Sequence, residues 1–305
     1  MNDKIFYFPG WTRKAITFTI DDGNIPLDKK FLSIVKPAGI LGTFNINPPL
    51  KKGFTPEDYR KMYHGFEIAN HCTRHPLAFD PSKEYKFTDE AYDEKTADPE
   101  YLYKTDMEGL YLYKYTPRYW SYIATADTYC KLVEDGKRQL EEVFGEGSIE
   151  AFVWPYGLQK NPEVLDRIIK MGYTSVRKTC DSSFELPKDR FNWSYGAHHT
   201  TLREKAEAFE ALEDDGELKW FCFGVHSHDF ENNNCWDILE DFAQKYGNRP
   251  EDFWYATVRD IFHYEDAVKA ATVTENEIVN NSEITLYAKI NGKRVTLFPG
   301  DSYKF

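Results

Sequence analysis

Ala15-Ile16-Thr17-Phe18-Thr19-Ile20-Asp21-Asp22-Gly23 is a run of β-branched and aromatic residues that stops on two carboxylates and a glycine. Residues 15–20 predict a buried strand. Side chains alternate along a strand, so Asp21 and Asp22 converge on one site only if the backbone turns there, and Gly23 permits the turn. Two adjacent carboxylates at a strand end are costly unless a cation or a shared proton compensates them, and a metal is the economical explanation. Taken alone, the three residues fit a solvated Asp-Asp-Gly turn better.

Outward from this strand the chain alternates strand and helix. Residues 27–36 have helical spacing at Phe31, Ile34 and Val35, and residues 42–46 predict a second strand. Thr55-Pro56-Glu57-Asp58 opens a helix with a cap, a proline at the first position and early acids, and residues 67–69 predict a third strand. The pattern resumes with a strand at 151–154, a helix from Asn161-Pro162 through Met171 with Gly172 as its stop, and a strand at 174–176. Thr201-Leu202-Arg203-Glu204 has the signature of a capping box. A strand at 220–225, a helix at 236–246, a short strand at 253–256 and a helix at 261–270 complete the series.

Such alternation predicts an α/β fold with a parallel sheet, open or closed into a barrel. Two segments break it. Residues 81–129 are polar and crowded with tyrosines around Trp120, which predicts an inserted aromatic-rich loop region. Residues 284–290 and 294–298, joined by Asn291-Gly292-Lys293, predict a C-terminal β-hairpin within an extension over 275–305. A single domain over 1–305 is the expectation.

The 305 residues are 41% hydrophobic, enough for one large core, and carry a formal net charge of -12. That charge argues against nucleic acid or an anionic membrane as partner and favours a neutral or cationic ligand. The longest apolar runs are strand-sized, so no membrane span is expected. Residues 1–14 show no secretory signal, so a cytoplasmic protein is expected, with a leader trimmed from the sequence as the alternative. Cys72, Cys130, Cys180, Cys222 and Cys235 form no CxxC pair, which points to reduced thiols. Nothing in the sequence bears on oligomeric state.

His71-Cys72-Thr73-Arg74-His75 shifts the balance at Asp21 and Asp22. Histidines at i and i+4 share one face of a helical turn and bring both imidazoles to one metal. They follow the 67–69 strand directly, which places them at the same sheet end as the aspartates. Two imidazoles and one carboxylate leave positions open for water and substrate, a catalytic pattern of coordination.

These residues resemble a known family. Residues 16–23 resemble the first motif of the polysaccharide deacetylases (carbohydrate esterase family 4, the NodB-homology domain), and Asn70-His71-Cys72-Thr73-Arg74-His75-Pro76 resembles the second. Ala151-Phe152-Val153-Trp154-Pro155-Tyr156-Gly157 is similar to the third, and Gly224-Val225-His226-Ser227-His228-Asp229-Phe230 to the final histidine motif. Four motifs in order make the resemblance specific. It implies a distorted (β/α) barrel with its site at the carboxyl ends of the strands. It implies a hydrolase that removes N- or O-acetyl groups from a carbohydrate, with one divalent metal ion: zinc foremost, with cobalt, manganese or nickel as alternatives. Carried over by position, Asp22, His71 and His75 hold the metal, Asp21 is the general base and the final-motif histidine the general acid.

The chain also departs from the family pattern. Val153 stands where the third motif has an arginine that orients the base, and Cys72 where the second prefers serine or threonine. Arg177, at the end of the 174–176 strand, is placed to substitute from the neighbouring strand; the alternative is an arginine on a solvated edge. In the final motif, His226 and His228 would share a face of an extended strand. His226 is assigned as the acid because it directly follows the buried run and because Gly224-Val225-His226-Ser227 resembles a glycine-histidine-serine form of the motif. Pro155, Tyr156, His228, His199 and Trp120 are expected to contact an acetylated carbohydrate. Two other readings stay open: an amide hydrolase acting on a non-sugar substrate, and a non-catalytic carbohydrate-binding relative, which the missing arginine motivates.

Overall fold

The apolar runs become seven parallel strands in one curled sheet. In the computed structural model, which describes residues 5–158, 160–179 and 183–305, the order across the sheet is Ser175–Arg177, Ala151–Val153, Glu67–Asn70, Gly42–Ile46, Lys14–Asp21 and Lys219–His226. Phe253–Tyr255 also pairs with Lys14–Asp21, along its first half. Single parallel bridges, Arg177 to Trp193 and Ala197 to Phe223, link the two ends of the sheet through the segment between them. The result is a distorted (β/α) barrel, and Phe18, Phe44 and Phe223 pack its sheet against the surrounding helices through Phe31, Tyr63 and Phe242.

Register delivers the motif residues to one rim. His226 lies opposite Asp21 on one neighbouring strand and Asn45 lies opposite it on the other. Val153 and Arg177 are likewise register partners on adjacent strands. Helices Ile25–Val35, Pro56–Met62, Pro162–Lys170, Leu202–Glu210, Trp236–Tyr246 and Val258–Ala270 occupy the expected connections. Thr55 caps its helix as expected and, with Asp58, closes a capping box. At Thr201 the hydroxyl instead bonds His198, accepting from its N–H at 3.0 Å and donating to its carbonyl at 3.3 Å, so it closes a short 3-10 turn and does not cap the helix from Leu202.

Residues 81–129 are not a loop region. From Leu77 to Ala124 the chain builds a five-stranded sheet of its own, in which the tyrosine-bearing strands Leu110–Thr116 and Tyr119–Ala124 pair antiparallel. Its expected boundary at residue 129 falls inside Ala126–Phe144, a helix of 19 residues that the periodicity argument passed over. That helix packs against the barrel through Gly136, where a Cβ would lie 2.7 Å from the Asn70 side-chain oxygen.

The C-terminal hairpin forms from Leu286–Ile290 and Lys293–Leu297, tightened to a two-residue turn at Asn291 and Gly292, both with positive φ. Phe6–Tyr7 adds a third strand. Leu286, Ala288 and Leu297 share a buried cluster with Phe6, Ala15 and Trp220, so the hairpin packs directly on the barrel strands. Among the described residues no helix is long and apolar enough to cross a membrane. Cys72, Cys130, Cys222 and Cys235 are free thiols, and Cys180 lies outside the described residues.

Candidate active site

At the rim, Asp22 leaves its strand with φ 77° and Gly23 follows at 59°. This left-handed turn is uncommon for a side-chain-bearing residue, though aspartate tolerates it better than most. It carries Asp22 out over the strand end while Asp21 stays in the sheet beside Asn45 and His226.

His71 and His75 meet by a different route from the helical turn expected of them. Residues 71–76 form no helix, and Cys72, Arg74 and His75 have φ of 63°, 64° and 49°. Strained residues of this kind persist only where their surroundings hold them. Here Asn70 accepts from the Cys72 N–H at 2.9 Å, and Asn47 donates to the carbonyls of His71 and Cys72. Asn70 is itself held by donating to Val133 O and to the Tyr173 hydroxyl, so the inserted helix and the barrel jointly fix the loop.

The loop brings the two Nε2 atoms to 3.2 Å, with Asp22 Oδ1 at 3.6 Å from His71 and 3.8 Å from His75. Three donors around one ion at zinc-like bond lengths would stand about 3.3 Å apart, so the set fits a divalent cation with little adjustment. His71 Nδ1 lies 2.9 Å from the Val153 carbonyl. Donation to that carbonyl fixes the tautomer and leaves Nε2 as a lone pair directed at the site. Burial and the neighbouring His71 push the pKa of His75 well down, so its ring is neutral and free to ligate.

Asp21 is held on one oxygen. Arg177, 1% exposed, donates Nη2 to Asp21 Oδ1, and Asn45 donates to the same atom at 2.6 Å. Arg177 Nε and Nη1 have no hydrogen-bond partner among the described residues, and the guanidinium lies 5.1 Å from the Tyr195 ring centroid. Burial opposes ionisation of Asp21, but the Arg177 guanidinium together with His71 and His226 outweighs it and holds the carboxyl well below the usual range. The guanidinium thus reaches Asp21 from the strand next to the one on which Val153 stands.

The final motif does not stay extended. Its strand ends at His226, and Ser227–Asn232 turns into a short helix. Asp229 closes a capping box on it, accepting from the His226 N–H and lying 3.0 Å from His226 Nδ1. Nε2 is thereby turned into the site, 3.8 Å from Asp22 Oδ2. Burial works against a charge on His226, but the Asp229 hydrogen bond and the carboxylates of Asp21 and Asp22 carry its pKa up to about 9. His228 stacks on His226 at 4.6 Å and lines a groove beside Asp22 and His75.

Other expected contacts redistribute. Tyr156, at φ 60°, packs edge-on against His75 at 4.5 Å and bonds Ser121 of the inserted sheet, so it borders the centre. Pro155 is buried beneath it. His199 is 6% exposed and packed towards Phe230 and Asp229, which leaves it no surface for a sugar. Trp120 packs among Tyr92 and Tyr103 within the insertion, because the strand pairing directs it there; Tyr115, 4.6 Å from Tyr156, takes the place beside the site. Asp229 and Asn45 were not singled out from the sequence. An acid three residues after a histidine at a helix start signals the first, and an amide inside the buried run Gly42–Ile46 the second.

A carboxylate held by arginine, two imidazoles beside a second carboxylate and a histidine directed by a carboxylate stand together on the rim of the parallel barrel. Residues 11–176, more than half of the 305, match the family model described as polysaccharide deacetylase, and the chain belongs to that family, whose enzymes act on amide bonds. The fold is similar to that of a candidate polysaccharide deacetylase from Mycobacterium smegmatis, at 17% identity and a TM-score of 0.54 over 89% of this chain and 97% of that one. A family 4 acetyl xylan esterase from Clostridium thermocellum, solved with a cobalt ion, matches at 14% identity and a TM-score of 0.45, covering 83% of this chain and 92% of that one. A chitin deacetylase from Colletotrichum lindemuthianum matches at 17% and 0.43, covering 84% and 88%. None of the curated proteins matches the chain.

Proposed function

We propose that the protein is a metal-dependent deacetylase that hydrolyses N- or O-acetyl groups on a carbohydrate, with Asp22, His71 and His75 holding one divalent ion. The observation that carries the proposal is the convergence of those three donors within 3.8 Å beside an aspartate that is kept ionised. A divalent ion held there would supply Lewis-acid polarisation of the acetyl carbonyl and make a bound water more acidic. A zinc ion suits two imidazoles and a carboxylate, and cobalt, manganese or nickel would fit the same donors.

Asp21 is the base. Among the described residues its two protein donors both sit on Oδ1, so Oδ2 is the oxygen available to accept the proton of the attacking water. Arg177 and Asn45 fix its direction, and Arg177 supports an active base in place of the arginine absent at Val153. His226, protonated and with Nδ1 occupied by Asp229, presents Nε2–H to the leaving nitrogen or oxygen as the tetrahedral carbon collapses. Tyr156 shapes the wall against His75, and His228 lines the adjoining groove.

The test is acetate release from an N-acetylated or O-acetylated oligosaccharide. Release should stop on chelation and return when zinc or cobalt is added back. Release that proceeds unchanged in excess chelator would overturn the metal requirement.

A further inference from the structure

The groove beside the metal donors carries a charge that the whole chain does not predict. It encloses about 930 Å³, with Asp22 and His75 at one part of its lining and the segment from Asn47 to Phe54 along another. Pro48, Pro49, Leu50 and the 38% exposed Phe54 give it an apolar wall. Its charged lining is Lys51, Lys52 and Arg74 against a single carboxylate, Asp22. In the proposed function that carboxylate belongs to the metal, so the groove is positive in a protein of net charge -12.

Two of the three cations are available to a ligand. Arg74 is taken by Asp106 through paired contacts of 3.0 and 2.9 Å. Lys51 and Lys52 are exposed, and neither ammonium makes an ion pair among the described residues. The acids that follow them in sequence are engaged elsewhere: Glu57 pairs with Arg60 at 2.9 Å, and Asp58 accepts from the Thr55 N–H at 2.7 Å. A neutral glycan needs no such pair beside an apolar wall. An anionic one does, because a lysine ammonium acts as a compact point charge and a groove concentrates its field.

We propose that the substrate is an acidic acetylated glycan, bearing a carboxylate or sulfate on a sugar near the acetylated residue, and that Lys51 and Lys52 receive that anion. The proposal rests on the groove being continuous with the deacetylase site. It departs from the expectation of a neutral or cationic ligand: net charge governs approach from a distance, whereas the groove lining governs what is held.

The test compares an acetylated uronate oligosaccharide with its methyl ester, and a sulfated acetylated oligosaccharide with its desulfated form, by calorimetric binding at low salt to wild type and to Lys51→Gln/Lys52→Gln. The anionic member of at least one pair should bind about threefold to tenfold more tightly than its neutral counterpart, as two exposed charge contacts allow. The double variant should erase that preference while binding the neutral form unchanged, and the pair that shows the preference identifies the anion. Equal binding within both pairs, binding of none of the four, or a preference that survives in the double variant would overturn the inference. Preferential binding without acetate release would leave the anion site at Lys51 and Lys52 standing and count against the deacetylase reading. Release from a neutral glycan without any preference would do the reverse.

Discussion

Asp21, His226 and Asp28 are three ionisable groups whose surroundings push them in different directions. For His226 the Asp229 hydrogen bond, with the Asp21 and Asp22 carboxylates, overcomes burial: a pKa raised to about 9 means that the proton-donating form persists below that pH and is lost above it. Activity limited by this group should therefore fall on the alkaline side, with a limb below 9 in the metal-loaded enzyme, where the cation offsets the Asp22 charge. Asp229→Asn removes the hydrogen bond to the carboxylate and should move the limb of kcat/KM down by about one unit, towards the ordinary histidine value. A limb that stays in place would show that another group limits the alkaline side.

Asp28 is a carboxyl with 0% exposure that accepts from the Tyr63 hydroxyl at 2.7 Å. Burial pushes its pKa up to about 7. Because the folded value lies above the unfolded one, its stabilisation is complete below about pH 4 and is lost as pH rises towards 7. Asp28→Asn keeps an acceptor for Tyr63 and removes the charge. Denaturant titrations should show the wild type losing of order 3 kcal/mol more than this variant between pH 4 and 7. Parallel pH profiles for the two proteins would contradict the burial argument.

Among the elements, the loop at 71–75 and the helix Ala126–Phe144 show why spacing alone misplaced the structure while finding the residues. The i, i+4 interval of His71 and His75 predicted convergence, yet left-handed residues held by Asn47 and Asn70 achieve it without a helix. Local periodicity carries no information about such distant hydrogen bonds. The helix was hidden by the tyrosine-rich strands immediately before it and by Gly136 within it, a poor helix former kept for close packing. Gly136→Ala places a methyl against Asn70 and should cost about 1–3 kcal/mol of stability, with weaker metal binding because Asn70 holds the loop. Thermal unfolding with and without added zinc would measure both, and an unchanged protein would show that the helix can retreat freely.

At the scale of the whole molecule, the parallel strands and the rim position of the site were legible because buried parallel strands are rich in apolar and β-branched residues and end abruptly on polar ones. Asp21, Asp22, His71, His75, Arg177 and His226 all arrive at one rim for that reason. The inserted sheet was less legible: its strands are crowded with half-buried tyrosines and bury no continuous apolar run. The same limit misplaced Trp120, whose neighbours are set by pairing between strands of that sheet.

The division of labour between the two adjacent aspartates, with Asp22 and the histidines holding one cation and Asp21 acting on water, is tested most directly by elemental analysis of purified Asp21→Asn and His71→Ala beside wild type, with acetate release followed on the same samples. Wild type and Asp21→Asn should carry a full equivalent of divalent metal and His71→Ala little, while Asp21→Asn, though loaded, should lose activity by roughly a hundredfold or more. Full metal retention in His71→Ala, or a loaded Asp21→Asn that remains active, would contradict the account.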